Sequence, residues 1–144
     1  MNKTKTLVLL LAAFLMTTLG GCKKEDKDND VDLTTGIIGY YSSGSGAGYT
    51  DIEVKRVDNN TITVYVSKAN EDVYFDNCTM LTATTFTINT FTYSNNNETD
   101  TYTAISWDTP ELVGDQISIP YHRRKTDSSG NIVYDYDDYF SGRR

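Results

Sequence analysis

Apolar and polar side chains alternate strictly along two neighbouring runs: Ile52 and Val54 separate Asp51, Glu53 and Lys55, and Ile62, Val64 and Val66 alternate with polar or aromatic neighbours from Thr61 onward. A period of two puts these apolar groups on one face of an extended strand and cannot build the apolar stripe of a helix. Between the runs lies Asp58-Asn59-Asn60, whose side chains tolerate positive φ and bond their own backbone, so the pair reads as a β-hairpin. A two-stranded hairpin is marginal by itself. Its apolar face has to be covered by further strands, which constrains everything beyond Thr34.

The remaining sequence meets that demand. It is dominated by Thr, Tyr, Val, Ile and Phe, residues that suit a half-buried pleated surface, and it has no apolar pattern at helical spacing. Eight strand-like runs are expected: residues 36–42, 49–57, 61–66, 73–79, 85–93, 101–107, a run carrying Ile117, Ile119 and Tyr121, and 132–140. Gly-rich, Asn-rich or Asp-rich segments separate them, and every connection is short enough for antiparallel neighbours. Closing such a meander removes two exposed edges. The expectation is an all-β, antiparallel eight-stranded meander barrel; a Greek-key β-sandwich accommodates the same runs.

The start of the chain is of another kind. Met1 to Lys5 carries two lysines and leads into the apolar run Leu7 to Met16, which is too short to span a bilayer comfortably and matches a secretory signal segment. Leu19-Gly20-Gly21-Cys22 follows and resembles the lipobox of bacterial lipoproteins. That resemblance implies cleavage before Cys22, a diacylglycerol on its sulfur, further acylation by chains such as palmitate, and membrane attachment by this lipid. Two or more acyl chains anchor stably where one binds only marginally. Lys23 to Asp32 is almost free of apolar residues and reads as a charged tether. Within it, Lys24-Glu25-Asp26 resembles the export signal of Bacteroidetes-type lipoproteins, which implies an outer-membrane lipoprotein displayed at the cell surface; the three residues also fit a charged linker with no address. The domain plan is therefore 1–21 signal segment, 22–34 lipidated cysteine and tether, and 35–144 barrel.

Charge and cysteine content exclude several classes. The 144 residues include 13 Lys and Arg against 20 Asp and Glu, a net charge of −7. Losing residues 1–21 removes two lysines and deepens the imbalance, so nucleic acid is not an expected partner. Arg123-Arg124-Lys125 and Arg143-Arg144 are expected as solvated loop or end charges. With Cys22 acylated, Cys78 is the remaining thiol and leaves no disulfide framework; it fits a small buried strand residue.

Few residues point to chemistry. His122 has no neighbouring nucleophile and carboxylate in a catalytic pattern, no metal-ligand spacing is visible, and neither cofactor nor enzymatic activity is expected. Asp135 and Asp137 share one strand face, expected to be the outer one; Tyr134 and Tyr136 share the opposite face. Eleven tyrosines point to an aromatic-lined interior. Tyr134, Tyr136 and the lone Trp107 are the candidate contacts for a small hydrophobic or glycan ligand. Function is expected to be ligand or partner binding by a lipid-anchored barrel, with a filled structural or inhibitory barrel as the alternative; a carbohydrate-active enzyme would need two inward carboxylates facing each other across a cleft.

Two end segments also carry a resemblance. Gly36-Ile37-Ile38-Gly39-Tyr40-Tyr41 is similar to the glycine-x-aromatic opening of lipocalin-like barrels, and Tyr139-Phe140-Ser141-Gly142-Arg143 is similar to their closing strand. The resemblance implies barrel closure by Arg143 stacking on Tyr41 or Tyr40.

Overall fold

A computed structural model of the chain describes residues 31–44, 48–69, 71–95 and 97–144. The signal segment, Cys22 and Lys24-Glu25-Asp26 lie outside the described residues. The described chain is all-β, with strands β1 (Gly39–Ser42), β2 (Thr50–Arg56), β3 (Thr61–Lys68), β4 (Glu71–Thr79), β5 (Phe91–Ser94), β6 (Glu98–Thr103), β7 (Glu111–Val113), β8 (Gln116–Asp127) and β9 (Ile132–Arg143). They form one antiparallel sheet in the order β4-β3-β2-β1-β9-β8-β6-β5, with β7 on β8.

That order is an up-and-down meander curled into a nearly closed eight-stranded barrel, consistent with a lipocalin-like barrel. Nine strands fill eight positions because β6 and β7 share one edge of β8: β7 faces Gln116 to Ser118 and β6 faces His122 to Asp127. Neighbours in sequence are neighbours in space, as short polar connections dictate. Three hairpin turns use the same device. Asp58 accepts from the Asn60 amide, Asn95 from the Asn97 and Glu98 amides, and Asp127 from the Ser129 and Asn131 amides, so each turn's side chain replaces a missing backbone partner.

Two expected strands are corrected. In place of a strand over residues 85–93, β5 covers Phe91–Ser94 alone. Thr85 and Phe86 make isolated bridges to Glu111 and Met80, and Phe86 and Ile88 turn into the core. The alternation there is real, but it serves a crossing under the barrel. In place of 101–107, β6 runs from Glu98 to Thr103, and Trp107 lies in the connection that follows.

The two ends of the barrel differ. At one end the connections are bonded to one another: Leu33 donates to the Asn59 carbonyl, Met80 to Asn60, Phe86 to Pro110, Leu112 to Thr84 and Arg144 to Asp115, at 2.7–3.1 Å. Beneath them Ile37, Ile62, Cys78, Phe86 and Ile117 are fully buried, each apolar side chain contributing about 2 kcal/mol. This end is shut. The described chain enters here, with Thr34 buried and Leu33 packed on the core.

The seam between β1 and β9 is held by a single register pair, Ser42↔Arg143, and by close approach at Gly142. A Cβ at Gly142 would lie 2.9 Å from backbone atoms of Tyr41 and Ser42, so only glycine lets β9 pass there. The arginine on Tyr41 is Arg144, one residue beyond the expected Arg143. Its guanidinium carbon sits 5.1 Å from the Tyr41 ring centroid, and its Nη2 donates to the Gly36 carbonyl (2.6 Å), the Ile38 carbonyl (3.0 Å) and the Tyr41 hydroxyl (2.8 Å). Arg143 instead reaches Gln116 at 3.4 Å. The strand's alternation turns successive side chains to opposite sides, so a shift of one residue exchanges their roles.

Candidate functional site

The opposite end of the barrel carries the polar chemistry. Alternation along β8 turns Ile117, Ile119 and Tyr121 inward, and the same period brings Arg123 in behind them. On β6 it turns Asp100 and Tyr102 inward, and on β9 it aligns Tyr136 with Arg123 and Tyr134 with Lys125. Arg123 is 8% exposed, so the expectation of a solvated charge is corrected. A buried guanidinium has to be paired, and this one is bonded to two carboxylates and a tyrosine hydroxyl.

Its Nε donates to Asp100 Oδ1 at 3.0 Å and its Nη2 to Asp100 Oδ2 at 2.6 Å, the parallel fork that a guanidinium makes with a carboxylate. The same Nη2 donates to Glu71 Oε1 at 2.6 Å and Nη1 to the Tyr136 hydroxyl at 3.4 Å. The guanidinium also stands over the rings of Tyr102 and Tyr134, with ring centroids 5.0 and 4.9 Å away. Tyr134 donates its hydroxyl to Asp100 at 3.1 Å, and Tyr102 donates to Glu71 at 3.1 Å. Burial works against the charge on Arg123. The bonds from Asp100 and Glu71 outweigh it and hold the guanidinium pKa above its usual value. Burial, with nearby carboxylates adding to it, pushes the Tyr102 and Tyr121 phenols far up.

Glu71 sits on β4 and Asp100 on β6, so Arg123 ties together the two sides of the place where the barrel does not close. β4 and β5 face each other there without pairing. Toward the shut end the gap is bridged, because the Thr87 amide donates to the Thr79 carbonyl and Asn89 Nδ2 to the Asp76 and Asn77 carbonyls. Toward the other end it widens into a cleft of about 450 Å³. Tyr74, Phe91, Tyr93 and Tyr102 form its aromatic wall, and Glu71, Asp72, Glu98, Asp100 and Lys125 supply its charges. Lys125 is bonded to Glu98 at 2.5 Å, and Asp72 accepts from the Tyr65 hydroxyl at 2.8 Å.

Of the candidate ligand contacts, Tyr134 and Tyr136 are brought together, with ring centroids 5.6 Å apart beside Arg123. Both serve the arginine, and neither lines the cleft. Trp107 is 71% exposed in the connection beyond β6 and takes no part in the site. His122 bridges Asp135 (2.6 Å) and Asp137 (2.8 Å) on the outer face. Among the described residues no group of three His, Cys, Asp or Glu side chains is arranged to hold a metal. Cys78 is buried, and burial pushes its thiol pKa up to about 12.

A second hollow, of about 480 Å³, lies beside the β1–β9 seam near Tyr40, Tyr65 and Arg143. Arg144, on its wall, covers the Tyr41 ring and closes the barrel end, and Tyr40 and Glu53 on its rim bond each other. Compared with known proteins, the chain matches no family model, no curated sequence and no solved structure.

Proposed function

We propose that the chain is a lipid-anchored outer-membrane barrel, displayed at the cell surface through Cys22 and Lys24-Glu25-Asp26, that binds a small ligand in the cleft between β4 and β5. The observation that carries the binding role is the cleft itself: an open seam with aromatic walls and fixed polar groups, the usual composition of a small-molecule site. The site is binding in character. The inward carboxylates Glu71 and Asp100 do face each other across the seam, but both are bonded to one guanidinium and to tyrosine hydroxyls, an arrangement that suits holding a charged group and not proton transfer to a substrate.

The display role is supported by the sequence alone, Lys24-Glu25-Asp26 standing close behind Cys22. The test is surface proteolysis of intact cells, comparing the parent with a variant carrying alanine at Lys24, Glu25 and Asp26, together with palmitate labelling of the parent and Cys22→Ser. Digestion of the parent, protection of the export variant and loss of label from Cys22→Ser support the reading. Protection of the parent overturns surface display, and labelling that survives Cys22→Ser overturns the anchor.

The packed interior favours a second reading, a structural or inhibitory envelope protein. Val64, Val66, Phe75, Tyr121 and Phe140 are buried together inside the barrel. Absence of any ligand at the cleft would leave this reading standing.

A further inference from the structure

The charges lining the cleft do not balance. Glu71, Asp72, Glu98 and Asp100 line it with four carboxylates against one cation, Lys125, with Arg123 behind the wall, and both cations are already engaged, Lys125 by Glu98 and Arg123 by Asp100 and Glu71. An anion entering the cleft would meet no uncommitted cation. The side chains of Glu71 and Glu98 remain 43% and 39% exposed, so a further cation can approach them without stranding a charge in the interior. Tyr74 and Tyr93 are 47% and 57% exposed on the same wall, with Phe91 half-buried between them. The negative faces of aromatic rings attract alkylammonium and guanidinium groups and repel anions.

The protein already shows what such a wall does with a cation. Arg123 stands over two tyrosine rings with two carboxylates on its edge, and Lys125 stands 5.6 Å over the Tyr134 ring while paired to Glu98. The cleft repeats that combination toward solvent, with rings on β4, β5 and β6 and carboxylates on β4 and β6. A net charge of −7 draws cations toward the chain from a distance.

We infer that the ligand of the β4–β5 cleft is a small organic cation, an alkylammonium or guanidinium group held between Glu71 and Glu98 with its carbon body on Tyr74, Phe91 and Tyr93. This rests on the reading of the cleft as a ligand site. The ammonium supplies donors to the two glutamates, and its apolar stem covers the rings.

The test separates charge from shape with three probes that share one ring: benzylammonium, benzyl alcohol and benzoate, titrated into the folded domain while amide and tyrosine ring signals are followed by NMR. The expected result is saturable shifts at Tyr93, Glu98 and Lys125 with benzylammonium, at least tenfold weaker binding of benzyl alcohol, none of benzoate, and a loss of affinity on raising salt. Glu98→Gln with Glu71→Gln is expected to weaken benzylammonium about tenfold while the remaining spectrum stays that of the folded parent. Tyr93→Ala, at an exposed position, is a second variant expected to weaken it with the fold unchanged. Equal binding of alcohol and ammonium, or tighter binding of benzoate, overturns the cation assignment and keeps the cleft as a ligand site. Failure of all three probes to perturb the cleft overturns both.

Discussion

Arg123 and Asp100 are joined by two nearly parallel hydrogen bonds, of 3.0 and 2.6 Å, across adjacent strands at the one place where the barrel fails to close. β6 and β8 carry this pair, and Glu71 on β4 is drawn to it over the gap at 2.6 Å. The consequence is mechanical as well as electrostatic. Backbone pairing is missing between β4 and β5, and a guanidinium held by carboxylates from both sides of the gap takes its place.

Breaking that link should be costly. Arg123→Met leaves Asp100 buried without its partner, and orphaning one member of a buried pair costs about 3 kcal/mol. Urea denaturation is expected to show that loss. The double variant Arg123→Met with Asp100→Leu should be less destabilised than the sum of the two single changes, because an apolar pair strands no charge. Additive losses would mean that the two side chains act separately.

Much of this architecture can be read in the chain before any coordinates, and the reasons for the exceptions are specific. The hairpin of β2 and β3 follows from Ile52, Val54, Ile62, Val64 and Val66, since alternation over a buried face leaves no other register. Arg123 belongs to the same kind of pattern, two residues beyond Ile117, Ile119 and Tyr121. Its charge argues for solvent, and what reverses that is Asp100, 23 positions away, and Glu71, 52 positions away. Sequence spacing carries no sign of such partners. Phe86 and Ile88 mislead in the opposite sense: their alternation is that of a strand, yet they plug the shut end, because a barrel floor also needs two apolar side chains on one side of an extended segment.

The shut end gives a prediction that separates two adjacent arginines. Arg144 bonds three oxygens and covers the Tyr41 ring, whereas Arg143 reaches one distant amide oxygen. Charge-assisted bonds and ring contact together are worth roughly 1–2 kcal/mol at a partly exposed site. Thermal unfolding of Arg144→Ala should show a loss of that size, with Arg143→Ala within about 0.5 kcal/mol of the parent. The reverse ranking would assign the closure to Arg143.

Cys78 should be chemically silent while the chain is folded. Its thiol is buried, bonds the Phe75 carbonyl at 3.2 Å and has its pKa pushed up to about 12, so the reactive thiolate is scarce and inaccessible at neutral pH. In a chain carrying Cys22→Ser, a maleimide at pH 7.5 is expected to leave Cys78 unmodified until denaturant is added, and the rate of modification should then report the opening of the barrel. Rapid labelling of the native chain would show that β4 opens locally along its unpaired edge, with the rest of the sheet intact.

The tyrosines set the alkaline limit of stability. Tyr102 and Tyr121 are 3% and 1% exposed, and burial raises both phenols far above their ordinary value of 10.0. Because the native pKa lies above that of the unfolded chain, the contribution to stability is complete below pH 10. It falls as pH rises further, since the unfolded chain then releases protons that the native chain retains. Each such group removes about 1.4 kcal/mol per pH unit in that window. Absorbance at 295 nm should therefore show a late step from these two of the eleven tyrosines. Tyr102 and Tyr121 are expected to ionise together with the loss of near-ultraviolet circular dichroism. Replacing Tyr121 by Phe removes the hydroxyl's bond to Asp138, 3.2 Å long, and one of the two late-titrating phenols. It is expected to lower stability slightly at pH 7 and to shift the midpoint of alkaline unfolding upward. A downward shift would mean that the stability lost with the Asp138 bond outweighs the phenol ionisation that the change removes.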